Sequence, residues 1–529
     1  MAVIALCAVC VAVGVFFRLY RLGYEYIWYD ETWTIAHIFG HRISRAGEEM
    51  FTNRTATPEE LRKYTNYDAS STMMATVRRL AGTDTIHPPL YYVLLHFWAH
   101  AFGDSAAALR LPGAIFSIGS IGACYVLCRM LFPGTLTPAI AAALLALSPF
   151  QQAYAEEARQ YSLLGLLTLV SSIALVAAVR RSTWTRWLAY AASVSLGMYT
   201  QPLFPLVIAA HAIYAIAAAR MESNRPWRRT MSAFGLAAAT GLATFIPWAV
   251  VMYRCREVLV MNSGWVSGEF PKNLLLARWL HAFAATFVDT TTPAGKPPLV
   301  DEILWYQPLV MFLILVSLLV CLLRMPSPQR VLVLGLIIVP FAALAVPDLL
   351  VGGRRSGTAR YFTATLTVLP IPVAWMLAAE FANSIRVRRA FAACVALVLA
   401  GAGMLSLWQM SGQRSWWPKG TTSMPMPEVI EAIDQVPSHT VVSGNSENNP
   451  TFVITLARYV RNDTQFILLS HPGSADDLPR GALLLTTTYP EKLRIINSSA
   501  LQEVPGSSQS LWRWPLNGVS SPRPSQAPQ

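Results

Sequence analysis

Three clusters of ionisable residues, each set among aromatics or glycines, carry the chemistry legible in this chain. Asp30 and Glu31 stand together in YIWYDETWT. A carboxylate held among aromatics can take a proton from a weak nucleophile; the same pair also reads as two solvated loop acids, with Trp28, Tyr29 and Trp33 in an interfacial aromatic belt. Glu156, Glu157 and Arg159 lie in SPFQQAYAEEARQYSLL. They offer a general base, a divalent-cation ligand or a carboxylate that orients an acceptor, or they solvate a helix start. The third cluster, GGRRSGTARY from Gly352 to Tyr361, gathers Arg354, Arg355 and Arg360. Guanidinium forks match phosphate oxygens two at a time, and glycines let backbone N–H groups approach an anion. His87, just before Pro88 and Pro89, is either a polar contact near the site or a cap on the helix that follows. The stretch from Tyr253 to Gln307 adds Arg254, Arg256, Lys272, Arg278, His281 and Lys296, which suits a surface helix against a lipid chain or a phosphate.

The elements that must hold these residues are membrane helices. Of 529 residues 54% are hydrophobic and only 13% charged, against roughly 25% charged in a soluble domain, which excludes an ordinary soluble enzyme. The net charge of +12 is no sign of nucleic-acid binding, because most of the arginine falls in short runs between apolar stretches, as membrane topology requires. The seven cysteines are scattered and form neither a disulfide framework nor a zinc site.

An uncleaved first helix is expected over about 2–17, with further spans near 109–130, 136–150, 162–179, 187–200, 203–219, 231–252, 305–323, 331–347, 362–380 and 390–409, about eleven in all. Arginines cluster on alternate connections, at 129, 180–186, 220–229, 324–330 and 386–389, which places those connections and the N-terminus in the cytoplasm. The loops 18–108 and 253–304 then face the outside or periplasm, and Arg354, Arg355 and Arg360 lie on the outer face against the positive-inside rule. The apolar segment 88–103 contains His96 and His100 and is too short to span, so it reads as a helix lying along the outer interface.

After Met410 the pattern changes. MPEVIEAIDQV, NPTFVITLARYV and PEKLRIINSS read as helices, and HTVVSG, TQFILLS and GALLLTTT as strands, a small α/β domain outside the membrane. The expected division is a membrane module over 1–409, the α/β domain over 410–519 and a disordered tail over 520–529.

In their order along the chain, WYDETWT, HPPLYYVLLHFWAHAFGDSAAALRLPGAIFS, LLALSPFQQAYAEEARQYSLL, YTQPLFPLVI and TARYFTATLTVLP resemble the C-type superfamily of polytopic membrane glycosyltransferases. The likeness is to the family 39 group, with its protein O-mannosyltransferases and lipid A aminoarabinose transferases, and covers roughly residues 10–380. It fits the expected fold, an all-α polytopic membrane protein of about eleven helices with the small C-terminal extracytoplasmic α/β domain read above, which lies beyond the resemblance. It also implies an inner-membrane, multi-pass transferase that moves a sugar from a polyprenyl-phosphate carrier to a lipid, glycan or protein acceptor at the outer face, with inversion at the anomeric carbon.

By the same resemblance Asp30 is the base, Glu31 its neighbour and Glu157 the acid of the second loop. Arg159 and Arg360 are then candidate contacts of the donor phosphate, while His87, Arg354, Arg355 and Tyr361 are assigned to substrate binding from their own types and positions. The departing phosphate needs fixed positive charge, which arginine supplies, or a divalent ion such as magnesium or manganese held by Asp30 and Glu157. A transporter or flippase of lipid-linked sugars is the other reading. It is disfavoured because the spans are nearly free of ionisable groups and the acids gather at one interface.

Overall fold

The computed structural model describes residues 1–529 except 222–226, 293–294, 420–425, 436–438, 445–448, 471–481, 486–501, 504–510 and 514–529. The chain divides into two compact units, residues 1–24 with 76–418, and residues 25–75 with 419–529.

The first unit is helical. Among the described residues seven helices are long and apolar enough to cross a membrane, Ala2–Leu19, Ala106–Leu131, Tyr161–Arg180, Tyr306–Arg324, Gln329–Leu350, the segment Ala359–Phe381 and Arg386–Ser411. Two bent pairs bring the total to nine if each is one span. Trp184–Thr200 and Pro205–Met221, 17 residues each, are short of the ~20 residues of a full span. Large apolar side chains point outward from these helices: Phe312 is 69% exposed, Leu236 72% and Phe391 67%. In water such surfaces would be an aggregation hazard, and in a bilayer they meet lipid. The protein is an integral multi-pass membrane protein.

Proline marks both bends. The segment read as one span over 136–150 is two helices, Leu136–Ala146 and Pro149–Ala155, meeting at 56°. Ser148 caps the second through its Oγ, which accepts from the Gln151 N–H, and Pro149 takes the first helical position, where its missing N–H costs nothing. The segment 231–252 likewise breaks into Trp227–Ala243 and Ile246–Arg254 at 48°, with Pro247 in the first turn of the second helix. The segment 88–103 forms a helix of 13 residues, Leu90–Phe102, ended by Gly103 at a φ of 87°, a backbone state that glycine adopts without strain.

The second unit is built on a six-stranded sheet in the order β1-β3-β2-β4-β6-β5, from β1 (Arg54–Ala56), β2 (Thr440–Gly444), β3 (Gln465–Leu469), β4 (Leu483–Leu485), β5 (Gln502–Glu503) and β6 (Leu511–Arg513). The β2–β3 and β2–β4 pairs are parallel and the others antiparallel. Helices Met426–Gln435 and Asn449–Leu456 complete the α/β pattern. The helix read in PEKLRIINSS and the tail 520–529 lie outside the described residues.

The division expected from sequence, a break at 409, is corrected here. Residues 25–75 belong with the C-terminal segment, because β1 from the first loop pairs in register with β3, Thr55 opposite Ile467. One apolar core also joins Ile43, Met50 and Leu61 to Val429, Phe452 and Phe466. Ahead of Leu90–Phe102, the first loop contains four more helices besides β1: Tyr29–Ile38, Ile43–Met50, Pro58–Arg62 and Met73–Thr83.

Candidate functional site

The acids of AEEAR stand on a short non-helical link. The helix Pro149–Ala155 stops at Glu156, and the next, Tyr161–Arg180, begins five residues later. Between them Glu156, Glu157 and Arg159 are 4%, 0% and 3% exposed, so three ionisable groups are withdrawn from bulk solvent on one turn of chain. Gly113 makes room for this link. A Cβ there would lie 2.9 Å from the Glu157 carbonyl oxygen and 3.1 Å from that of Ala155, so any side chain would push the link away. The Gln152 amide donates to Glu156 Oε1 at 2.8 Å, and Gln151 donates to Thr367 Oγ1 at 3.0 Å. Thr367 in turn donates to the Thr363 carbonyl, and Thr363 to the carbonyl of Arg360. The broken helix is thereby tied to the turn that carries Arg360.

Arg159 reaches the first turn of the short helix Leu90–Phe102 and the residue His87 ahead of it. It donates to the Tyr92 hydroxyl at 3.0 Å and to His87 Nε2 at 2.8 Å. A guanidinium only donates, so His87 Nε2 accepts and its Nδ1 carries the proton. That proton is given to Asp84 Oδ1 at 2.7 Å. Asp84 thus fixes the tautomer of His87, and His87 fixes the direction of Arg159. Sequence reading missed Asp84 and Tyr92. Their signal was local: an acid three residues before His87, and a phenol four residues after the first proline, flank the helix start.

The glycine-arginine loop divides its arginines by role. Asp348, buried at the end of the helix Gln329–Leu350, accepts from Arg355 at 2.9 Å and from the backbone and hydroxyl of Ser356 at 2.6 and 2.7 Å. Arg355 also donates to the Gly352 carbonyl and to Ser267 Oγ. Arg354 donates to the Trp265 carbonyl at 2.9 Å, its guanidinium 4.8 Å from the centre of that indole; burial, then the neighbouring Arg278, lower its pKa. Gly353 adopts a φ of 125°, and a Cβ there would meet Arg355 Nη1 at 2.5 Å and Asp348 Oδ1 at 2.8 Å. Arg354 and Arg355 therefore clamp this loop to the segment 265–267. Arg360 and Tyr361 lie beyond the clamp on the 3-10 turn Ala359–Phe362, the guanidinium 5.9 Å from the Tyr361 ring centre.

In the second unit, Asp30 and Glu31 occupy the first turn of Tyr29–Ile38. Glu31 is fully buried, and its Oε2 accepts from the Trp28 N–H at 3.3 Å, the half of a capping box that closes a helix start. Asp30 is partly exposed. The helix is pinned by Thr32, whose hydroxyl is 2.6 Å from that of Thr455, and by the preceding Ile27 N–H, which donates to Tyr459 at 2.6 Å. A buried Lys419–Glu25 ion pair at 2.8 Å closes the entry to this turn.

Among the described residues no three His, Cys, Asp or Glu side chains gather as a metal site. A further buried acid, Asp289, also escaped the sequence reading. Asp289 Oδ2 accepts from the indoles of Trp416 at 2.8 Å and Trp417 at 2.5 Å, and its Oδ1 lies 3.8 Å from His281 Nε2. Burial pushes the Asp289 carboxyl up to about 7, partly offset by the two indole N–H groups. Burial lowers His281 to about 3.

Residues 86–251 match the family profile described as dolichyl-phosphate-mannose-protein mannosyltransferase. That stretch contains His87, Arg159 and the broken helix. No curated protein sequence matches the chain. Among solved structures, the chain is similar to apo ArnT from Cupriavidus metallidurans, with 10% identity, a TM-score of 0.50, and coverage of 97% of this chain and 98% of that one. It is also similar to the Archaeoglobus fulgidus oligosaccharyltransferase, with 12% identity and a TM-score of 0.47 over 90% of this chain and 65% of the other. The third is the mycobacterial arabinofuranosyltransferase AftD, with 15% identity and a TM-score of 0.43 over 83% and 29%. The resemblance carried by the motif series is met by a sequence profile over the residues around Arg159, and the chain shares the fold of ArnT along nearly its whole length.

Proposed function

We propose that the protein is an inverting glycosyltransferase that moves a sugar from a polyprenyl-phosphate donor to an acceptor at the outer, periplasmic face of the cytoplasmic membrane. An acceptor hydroxyl attacks the anomeric carbon, the bond from that carbon to the phosphate oxygen breaks with its electron pair leaving on the lipid phosphate, and the hydroxyl proton passes to Asp30. A hydroxyl is too weak a nucleophile without such a base. The oxocarbenium-like transition state and the departing phosphate call for fixed positive charge. Arg159 is assigned that role at the phosphate, with Arg360 and Tyr361 contributing to donor binding and Glu157 serving as the second acid.

The observation that carries the reading is the Asp84–His87–Arg159 chain. A guanidinium held by a ring of fixed tautomer, in a buried turn, is a preorganised cation for an anion that develops during reaction. The arginine-rich connections support a cytoplasm on the opposite side, and on this reading the acceptor is a lipid, glycan or protein exposed outside.

The test is transfer of radiolabelled sugar from a panel of polyprenyl-phosphate sugars by membranes containing equal amounts of wild type or Asp30→Asn. Consumption of one donor by the wild type and not by the variant is the expected result. Equal consumption by both removes Asp30 from the base role, and no consumption of any donor returns the transporter reading to the front.

A further inference from the structure

Arg18 is fully buried in the last turn of the first membrane helix, where among the described residues its hydrogen bonds go to no carboxylate and where the proposed chemistry does not use it. A cation withdrawn from water at the end of a membrane helix is costly and needs a specific set of partners. Arg18 has four. Its Nε donates to Ser117 Oγ at 2.8 Å, its Nη1 to the carbonyls of Gly14 at 2.8 Å and Ala146 at 2.6 Å, and its Nη2 to the carbonyl of Leu145 at 3.1 Å. Ala146 is the last residue of Leu136–Ala146, whose final carbonyls have no partner within the helix. The guanidinium caps them and meets the negative end of that helix dipole. The first helix is pressed against the same point, since a Cβ on Gly14 would lie 2.3 Å from the Ala146 oxygen.

The break that Arg18 caps is the one that delivers AEEAR. One residue before Arg18, the Phe17 carbonyl accepts from Gln152 Nε2 at 2.9 Å, and the same nitrogen donates to Glu156 Oε1 at 2.8 Å. The end of the first helix therefore holds the second half of the bent pair twice, by its guanidinium at the break and by its backbone at Gln152. Glu156 is close enough for its charge to act on the guanidinium. A glycine or asparagine suffices to end an ordinary helix at its carbonyl end. Four donors from one fully buried cation reach three segments of chain and lock their mutual positions.

We propose that Arg18 is a positioning residue of the transfer site, holding the break at 147–148 and, with Gln152, the placement of Glu156 and the link to Arg159. This rests on the glycosyltransferase reading above. The experiment measures initial rates over donor concentration, with thermal unfolding of the same detergent-solubilised full-length protein in parallel, for wild type, Arg18→Met, Arg18→Lys, Gln152→Leu and the Arg18→Met/Gln152→Leu double variant.

Arg18→Met is expected to lower kcat roughly a hundredfold, as ångström-scale misplacement does, with the apparent KM for donor changed less than about threefold. Arg18→Lys keeps donors for the carbonyls and recovers kcat to within about tenfold of wild type. The double variant falls no further than Arg18→Met, because both changes act on one carboxylate. A variant that melts earlier yet turns over at the wild-type kcat, or effects that simply multiply, overturns the positioning role and leaves the transferase reading standing. Should Arg18→Met fail to accumulate, wild-type kcat in both Arg18→Lys and Gln152→Leu overturns it equally. A wild type silent with every donor overturns the reading itself and the proposal with it.

Discussion

Arg159 Nη2 lies 2.8 Å from His87 Nε2, a donor that keeps its proton facing a ring nitrogen that must accept. The pairing makes the neutral, Nδ1-protonated ring the working form of His87, and Asp84 at 2.7 Å holds it there.

Asp84→Asn is expected to lower kcat/KM for the donor about as much as His87→Ala does, by roughly ten- to a hundredfold. With its amide nitrogen turned to the ring, asparagine donates to Nδ1, selects the opposite tautomer and turns an Nε2–H against the guanidinium. Steady-state rates over donor concentration check this, and a harmless Asp84→Asn beside a damaging His87→Ala would show that the tautomer plays no part.

The glycine-arginine loop separates stability from activity. Arg355→Met strips the counter-charge from Asp348, whose side chain has no exposure, and is expected to lower the thermal midpoint on the order of 2 °C or more. Arg360→Met is expected to leave that midpoint within about 1 °C and to weaken donor use instead. Paired melting and donor-titration experiments on the two variants decide it, and the reverse pattern would exchange their roles.

Stability should depend on Asp289 with a defined sign. Its folded pKa, about 7, lies above the ordinary 3.8, so the folded state binds the proton more tightly and this carboxyl disfavours folding progressively as pH rises from about 4 to about 7. His281, lowered to about 3, acts in the opposite direction between about 3 and 6.5 and is common to both proteins compared. Asp289→Asn cannot ionise and still offers an oxygen to the two indoles. Its thermal midpoint relative to wild type should therefore rise between pH 5 and pH 8, and a difference that stays flat with pH would mean that Asp289 keeps an ordinary pKa.

Gly113→Ala tests the seat of the AEEAR link. The added carbon would stand 2.9 Å from the Glu157 carbonyl oxygen, which is backbone and yields only if the link moves. Transfer is expected to fall roughly tenfold or more, whereas Gly122→Ala, on the same helix with nothing within 4 Å, should match wild type in the same assay.

Membrane residence, the approximate helix ends and the family resemblance were legible in the residues themselves, because they depend on local quantities. A run of apolar residues long enough to span, a proline that must begin a helix, and a motif such as TARYFTATLTVLP are all read within a few turns of chain. The strands in HTVVSG, TQFILLS and GALLLTTT were legible for the same reason and appear as β2, β3 and β4.

Tertiary structure alone decided what each polar group does. His87 meets Arg159 across 72 positions and Arg18 meets Ala146 across 128, distances over which no periodicity speaks. Arg355 and Arg360 look alike in GGRRSGTARY, yet Asp348 consumes the first in a structural clamp. Residues 25–75 fold with the C-terminal segment because β1 completes a sheet whose other strands lie some 380 or more residues later. Burial and hydrogen-bond partners, not residue type, set the chemistry of a side chain, and those are fixed only when distant segments pack.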